Sequence, residues 1–170
     1  VVILAAGYGT RLYPLIVDTP KALLKVAERA IIDHLLDRLN GVSDIRDVIV
    51  VTNHKFHPHF CEWAKVKKFP FAIRVLNDGT KTPDDRRGSI GDIQFAVDEC
   101  ALRDDLLVLG GDNLFDYSLV SGIKFARDKR PHATVGVFDI GGTHDARQFG
   151  VVALGPDQKV ISFEEKPERP

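Results

Sequence analysis

The sequence predicts an α/β domain of three layers, α/β/α, with helices on both faces of a mostly parallel, mixed sheet. Two observations carry that expectation. Runs that are apolar throughout, VVIL at residues 1–4 and VIVV at 48–51, suit strands buried on both faces. Segments with apolar residues at helical spacing lie between such runs, and this alternation of strand and helix is the pattern of a parallel sheet.

Each element follows in order. After the first strand, AAGYGTRLYP makes an abrupt turn. Ile31, Ile32, Leu35, Leu36 and Leu39 recur at helical spacing over 30–39, and Asn40-Gly41 ends that helix. Residues 47–52 form the next strand. A helix over 55–68 carries Phe56, Phe60, Trp63 and Ala64, with Pro58 confined to its first turn, where a missing N–H costs least. Phe71, Ile73 and Val75 alternate on one face of a strand over 71–76. Residues 77–88 are polar and broken by glycine and proline, so they form a loop. A helix follows with Ile90, Ile93, Val97, Cys100 and Ala101 inward, then a short strand over 106–109. A further helix over about 117–127 turns Val120, Ile123 and Phe125 or Ala126 inward. Strands are expected over 132–138 and 149–154, and the turn Gly155-Pro156-Asp157-Gln158 leads into 160–163 as a hairpin.

Composition narrows the partners. A chain of 170 residues suits one domain with a sizeable core. Its 23 basic and 24 acidic side chains leave a net charge of -1, so a nucleic-acid polymer has no electrostatic support as partner. Cys61 and Cys100 read as buried thiols of a reducing compartment, which points to the cytoplasm. No apolar run approaches the roughly 20 residues of a membrane span, so no membrane partner is expected. VVILAAG lacks the basic lead of a signal peptide and reads as a strand from residue 1, so little chain is expected ahead of it.

The chemistry-bearing residues fall where a parallel sheet places its ligand crevice, beyond the carboxyl ends of the strands. Gly7, Gly9, Thr10 and Arg11 occupy the turn after the first strand. Glycine there clears side chains from an approaching ligand, and successive backbone amides can cradle a phosphate oxygen. Thr10 adds a hydroxyl donor and Arg11 a fork of donors; the competing reading is a tight turn with a surface arginine. Leu12 stands where a dinucleotide fingerprint needs glycine, and no GK followed by serine or threonine makes a P-loop. Lys21, stiffened by Pro20, is either a surface lysine or the cation that neutralises a pyrophosphate leaving group. Asp112 follows LLVL and two glycines, so its carboxylate emerges at the crevice rim, either as a magnesium ligand or as the cap of a following helix. Asp33, at a distance tempting for ribose recognition, lies inside a helix and is expected to face solvent. His54, His57 and His59 flank a proline without zinc spacing, and no serine has a nucleophile context.

On these residues the sequence resembles the sugar-phosphate nucleotidyltransferases, the nucleotide-diphospho-sugar pyrophosphorylases, especially the glucose-1-phosphate thymidylyltransferase type. LAAGYGTRLYPLIVDTPKALLKV resembles the family's opening signature, VLGGDN its metal-binding strand end, and FGVVALGPDQKVISFEEKP its sugar-side hairpin with the EKP motif. Their order and separations fit, so the resemblance covers essentially the whole chain. It implies a Rossmann-like nucleotide-diphospho-sugar transferase fold, with residues 1–170 as one nucleotidyltransferase domain holding the nucleotide-binding portion and part of a sugar-binding region. It further implies that the backbone of Leu4, Ala5, Ala6, Gly7 and Gly9 contacts base and phosphates, and that Thr10, Arg11 and Lys21 lie on the nucleotide. Gly88 and Gly91 of the GSIG loop would receive the nucleobase, Asp112 would bind Mg2+, and Gly150, Glu165 and Lys166 would line the sugar phosphate. Arg11, Lys21 and Asp112 become the catalytic set.

Several positions depart from the family. Gly91 stands where thymidylyltransferases of this type carry a base-reading glutamine, Lys25 and Ala30 stand at common proline positions, and Asp92 replaces a small residue and is expected to touch solvent or ribose. Relatives continue past EKP with another sugar-contacting strand and a second metal-binding aspartate, so this chain is expected to hold the nucleotide half and part of the acceptor half. The implied reaction transfers a nucleoside monophosphate from a triphosphate to a sugar 1-phosphate, with dTTP or UTP favoured and CTP or GTP left open. The alternatives are cytidylyl or other nucleotidyl transfer to phosphocholine or a polyol phosphate, and a non-catalytic nucleotide or sugar-phosphate sensor. A homo-oligomer remains open.

Overall fold

A computed structural model describes residues 1–10, 18–141 and 146–168. The chain divides into two compact units, residues 1–124 and 125–170.

The first unit is built on a four-stranded sheet. Its strands are β1 (Val2–Leu4), β4 (Asp47–Thr52), β5 (Ala72–Asn77) and β6 (Val108–Gly110), in spatial order β5-β4-β1-β6 and all parallel. In chain order these are the third, second, first and fourth strands of the sheet. The succession therefore reverses between β1 and β6, and a doubly wound sheet opens its ligand crevice at such a switch point.

Alternating side chains of the central strands face opposite layers. Ile3, Val48 and Val50 pack with Ile32, Leu35 and Leu36 of α1 (Ile31–Asp37) and Phe60 and Trp63 of α2 (His57–Val66). Val2, Ile49 and Val51 pack on the other face with Ala96 of α3 (Gly88–Glu99). Each central strand is apolar on both faces because each face is covered, and this is the expected three-layer arrangement. Pro58 lies at the start of α2, as its missing N–H requires. Among the described residues, no helix is long and apolar enough to cross a membrane.

Several sequence expectations are corrected. Asp33 is 2% exposed rather than facing solvent. Its carboxylate accepts hydrogen bonds from Trp63 Nε1 at 2.9 Å, Lys67 Nζ at 2.6 Å and the Ala30 amide at 3.3 Å, so it ties α1 to α2. On α3, Ile90 is 79% exposed, whereas Asp92 is buried and shares with Ala96 the face that meets the sheet. GSIG is the first turn of this helix, not a loop. Val120 and Phe125 of α4 (Val120–Asp128) are exposed, and no residue of that helix is buried. Cys61 and Cys100 are free thiols, as expected, but half-buried.

A small hairpin, β2 (Lys25–Val26) with β3 (Arg29–Ala30), precedes α1. Its turn residues Ala27 and Glu28 have φ of 47° and 65°, values usually left to glycine or asparagine. Lys25 and Ala30 are Cα partners across this hairpin.

The second unit contains the hairpin of β7 (Gly150–Leu154) and β8 (Val160–Glu165), antiparallel as predicted and closed by Gly155 N donating to Lys159 O. Residues 132–138 form no strand: Val135, Val137 and Phe138 are exposed and no described strand pairs with them. Alternation makes a strand only where a neighbour accepts its hydrogen bonds.

Candidate functional site

The glycine turn leaves the carboxyl end of β1, and its path is set by hydrogen bonds from the neighbouring strands. Ala5 N donates to Val51 O, and Gly111 N donates to Leu4 O at 2.8 Å. Asn53, fully buried just past β4, donates from Nδ2 to Ala6 O at 2.9 Å and accepts the Phe56 amide at 2.9 Å. One side chain thus fixes both the turn and the start of α2. Among the described residues nothing lies where a Cβ on Gly7 would stand, and Gly9 has φ 63°, so the turn bends at a glycine. Thr10 is exposed, and Arg11 lies outside the described residues.

Asp112 reaches the same place from β6. A Cβ on Gly111 would lie 3.1 Å from Leu4 O and 3.2 Å from Ala5 Cβ, so glycine lets this segment lie close to β1 without displacing its neighbours. Asp112 caps no helix, since α4 begins only at Val120. Its Oδ2 instead accepts a hydrogen bond from Lys21 Nζ at 2.6 Å. Lys21 opens a short 3-10 turn, Lys21–Leu23, anchored by buried Ala22. The structure therefore joins the turn after β1, Lys21 and Asp112 on the two sides of the switch point.

The donor chemistry at Asp112 suits a hard divalent cation. Magnesium binds through one or two carboxylates and completes its shell with water and phosphate oxygens. Among the described residues no group of three or more His, Cys, Asp or Glu side chains stands ready for a metal, and residues 11–17 contain none of these types. A cation here would share Asp112 with a ligand's oxygens.

Gly88 and Gly91 flank the start of α3; Gly88 has φ 74° with open space beside it, whereas a Cβ on Gly91 would meet Arg87 Cβ at 2.9 Å. The loop before them folds around Asp78, which sequence reasoning overlooked. Its Oδ1 accepts the Thr80 amide and hydroxyl, each at 2.7 Å, while its backbone oxygen accepts Arg87 Nε at 2.8 Å. Its amide donates to Thr52 O, which ties the loop to β4. Burial, reinforced by the Asp78 carboxylate and opposed by Arg87, pushes the Asp92 carboxyl up to about 6. Asp92 Oδ1 and the Tyr8 and Thr52 hydroxyls are buried without a hydrogen-bond partner among the described residues. Burial also raises the Tyr8 phenol; Thr80 is near enough to oppose that shift, yet the pair misses hydrogen-bond geometry. These neighbours could be suspected in sequence only from polar residues, TN and ND, directly behind apolar strands.

The raised Asp92 carboxyl has a testable sign. The folded state holds this proton over a pH range in which the unfolded chain, near 3.8, has lost it, so stability falls as pH rises from about 4 through about 6. The loss is complete above that window. Asp92→Asn is expected to flatten this segment of the stability profile, measured by urea unfolding at pH 4.5 and 7.5. An unchanged slope would assign the pH dependence elsewhere.

In the second unit, Gly150 pairs with Glu165 across the hairpin, and a Cβ there would strike the Phe163 ring at 2.7 Å. Lys166 follows with φ 49°, its amide donating to Phe149 O and its ammonium 3.4 Å from Glu165 Oε1. Gly150, Glu165 and Lys166 are thus brought together at one end of the hairpin.

Comparisons with known proteins extend this geometry. The sequence profile of the nucleotidyl transferase family matches residues 1–170. The bifunctional protein GlmU of Methanococcus maripaludis strain C7 is 29% identical over 169 residues, covering 99% of this chain and 36% of that protein. The mannose-1-phosphate guanylyltransferase of Mycobacterium tuberculosis is 29% identical over 169 residues, covering 99% and 44%. The glucose-1-phosphate thymidylyltransferase of Neisseria meningitidis is 29% identical over 170 residues, covering 99% and 56%. The chain thus spans between about a third and just over half of these relatives' lengths. A solved structure from Bacillus anthracis, assigned as a glucose-1-phosphate thymidylyltransferase and holding sucrose, superposes with a TM-score of 0.71 at 24% identity, covering 99% of this chain and 65% of that one. That likeness establishes the shared fold, and with a family profile matched from the first residue to the last, the chain belongs to the nucleotidyl transferase family.

Proposed function

We propose that the intact protein transfers a nucleoside monophosphate from a nucleoside triphosphate to a sugar 1-phosphate, forming an NDP-sugar and pyrophosphate. The observation that carries this reading is the meeting of Lys21 and Asp112 beside the glycine turn at the switch point of the sheet. The named activities of the relatives support the same reaction class, and they differ in nucleobase, with guanylyl and thymidylyl transfer both represented.

The acceptor's phosphate oxygen attacks the α-phosphorus, so no covalent enzyme intermediate is needed and catalysis rests on alignment and charge stabilisation. The turn from Leu4 to Thr10 takes the phosphates on backbone amides. Lys21, with Arg11, places positive charge where the pyrophosphate departs. Gly88, with open space beside it, and Gly91 are assigned to the base at the start of α3. Gly150, Glu165 and Lys166 are assigned to the sugar phosphate, Lys166 through its cation and Gly150 by admitting the Phe163 ring against the strand that carries Glu165. Asp112 would hold a magnesium ion, which supplies neutralisation of phosphate charge when bound. The two free thiols accord with a cytoplasmic setting.

The test is a matrix of dTTP, UTP, CTP and GTP against sugar 1-phosphates, phosphocholine and polyol phosphates, read as pyrophosphate release. Release with a sugar 1-phosphate is expected, with dTTP or UTP the favoured donors. Release only with phosphocholine or a polyol phosphate would replace the acceptor, and triphosphate binding without release from any pair would make the protein a sensor.

A further inference from the structure

We propose that Lys21 is the metal's placeholder on Asp112: without nucleotide its ammonium holds the carboxylate, and a divalent cation gains that carboxylate when a triphosphate draws the lysine away. The proposal deepens the function above and rests on it for the identity of the phosphate ligand. Metal and triphosphate then enter as one unit rather than in independent steps.

Three observations support it. Lys21 Nζ donates to Asp112 Oδ2 at 2.6 Å, a charge-assisted bond to an oxygen that a hard cation would use. An ammonium on Oδ2 repels a divalent cation approaching the same carboxylate, so each weakens the other's hold on Asp112. Second, the two partners are mounted so that the pair can exchange. Their backbones are fixed, Lys21 by the 3-10 turn over buried Ala22 and Asp112 by the Gly111–Leu4 hydrogen bond, while their side chains are 43% and 46% exposed. A half-exposed ion pair is weakly held, and a polyphosphate offers the flexible lysine more charge than one carboxylate does. Third, the described residues give the cation no cluster of three donor side chains, and residues 11–17 supply none. Among the described residues, then, a cation without phosphate would have to displace Lys21 while gaining only the Asp112 carboxylate.

The test is titration of the intact, nucleotide-free protein with Mn2+ alone, followed by the EPR signal of the free ion. Lys21→Gln and Lys21→Met are each expected to bind Mn2+ at least about tenfold more tightly than the unmodified protein, a usual size for coupled sites. Adding Asp112→Asn to Lys21→Gln is expected to remove that gain. Lys25→Gln deletes an exposed lysine on β2 and is expected to leave the affinity unchanged, which separates exchange at Asp112 from a change in overall charge. A gain below tenfold in both Lys21 variants, a gain that survives Asp112→Asn, or an equal gain from Lys25→Gln overturns the proposal. The measurement needs neither acceptor nor turnover. Its failure removes the placeholder and leaves the reaction standing, whereas the substrate matrix can fail while the exchange is still seen.

Discussion

On the proposed reaction, Asp112→Ala is expected to lower kcat for pyrophosphate release by about a hundredfold or more, because the magnesium assigned to Asp112 would lose a carboxylate where phosphate charge develops. The fold is expected to survive. Asp112 lies in a half-exposed turn whose position depends on Gly111 against Leu4 and Ala5, not on the carboxylate. Circular dichroism and thermal unfolding should therefore match the unmodified protein while turnover collapses. Asp112→Asn keeps the shape and loses the charge, so it should fall nearly as far; a loss confined to the alanine variant would point to packing instead. Near-normal magnesium-dependent turnover in Asp112→Ala would remove this residue from the metal site.

Asp33→Ala is expected to cost about 3 kcal/mol of stability, read from denaturant unfolding at constant m. The deletion strands the Trp63 indole N–H in a core where that tryptophan also packs edge-on against Phe60. It also leaves Lys67, only a third exposed, without its carboxylate. Trp63→Phe removes the stranded donor, so the double variant should lose less than the sum of the two single losses. Turnover per folded molecule should change little, since the hydrogen bonds of the Asp33 carboxylate go to Trp63, Lys67 and Ala30 and none to the glycine turn, Lys21 or Asp112 among the described residues. A loss under about 1 kcal/mol would show that water replaces the carboxylate.

The contrast between these two aspartates shows what the sequence could convey. Asp112 was legible because it directly follows an apolar strand, and in a parallel sheet the residue behind such a strand stands at the crevice. Asp33 sits in an amphipathic helix, where periodicity marks the apolar stripe but not a partner such as Trp63, 30 residues away. The phase of α3 was misread for a related reason. Ile90, Ile93 and Val97 form a plausible stripe, yet Asp92 and Ala96 are the residues buried against the sheet. The β2–β3 hairpin gave no turn signal, since Ala27 and Glu28 occupy positions that glycine or asparagine would advertise. Asn53 as the clamp on the turn follows only from strand order, because β4 must lie beside β1 before its side chain can reach Ala6. Arg11 falls outside the described residues and retains its expected role as a proposal.

The strand order also carries a consequence for assembly in time. β4 and β5 lie close in sequence, and β1 pairs with β4 before β6 has to exist, so three strands can associate on a partly synthesised chain. The fourth joins by a far longer loop closure, and the Lys21–Asp112 contact spans 91 residues. A ribosome that has not yet delivered residue 112 therefore carries much of the core but only one side of the site. The Lys21–Asp112 contact, on which the proposed metal–triphosphate site rests, thus forms late, after β1, β4 and β5 are able to pair.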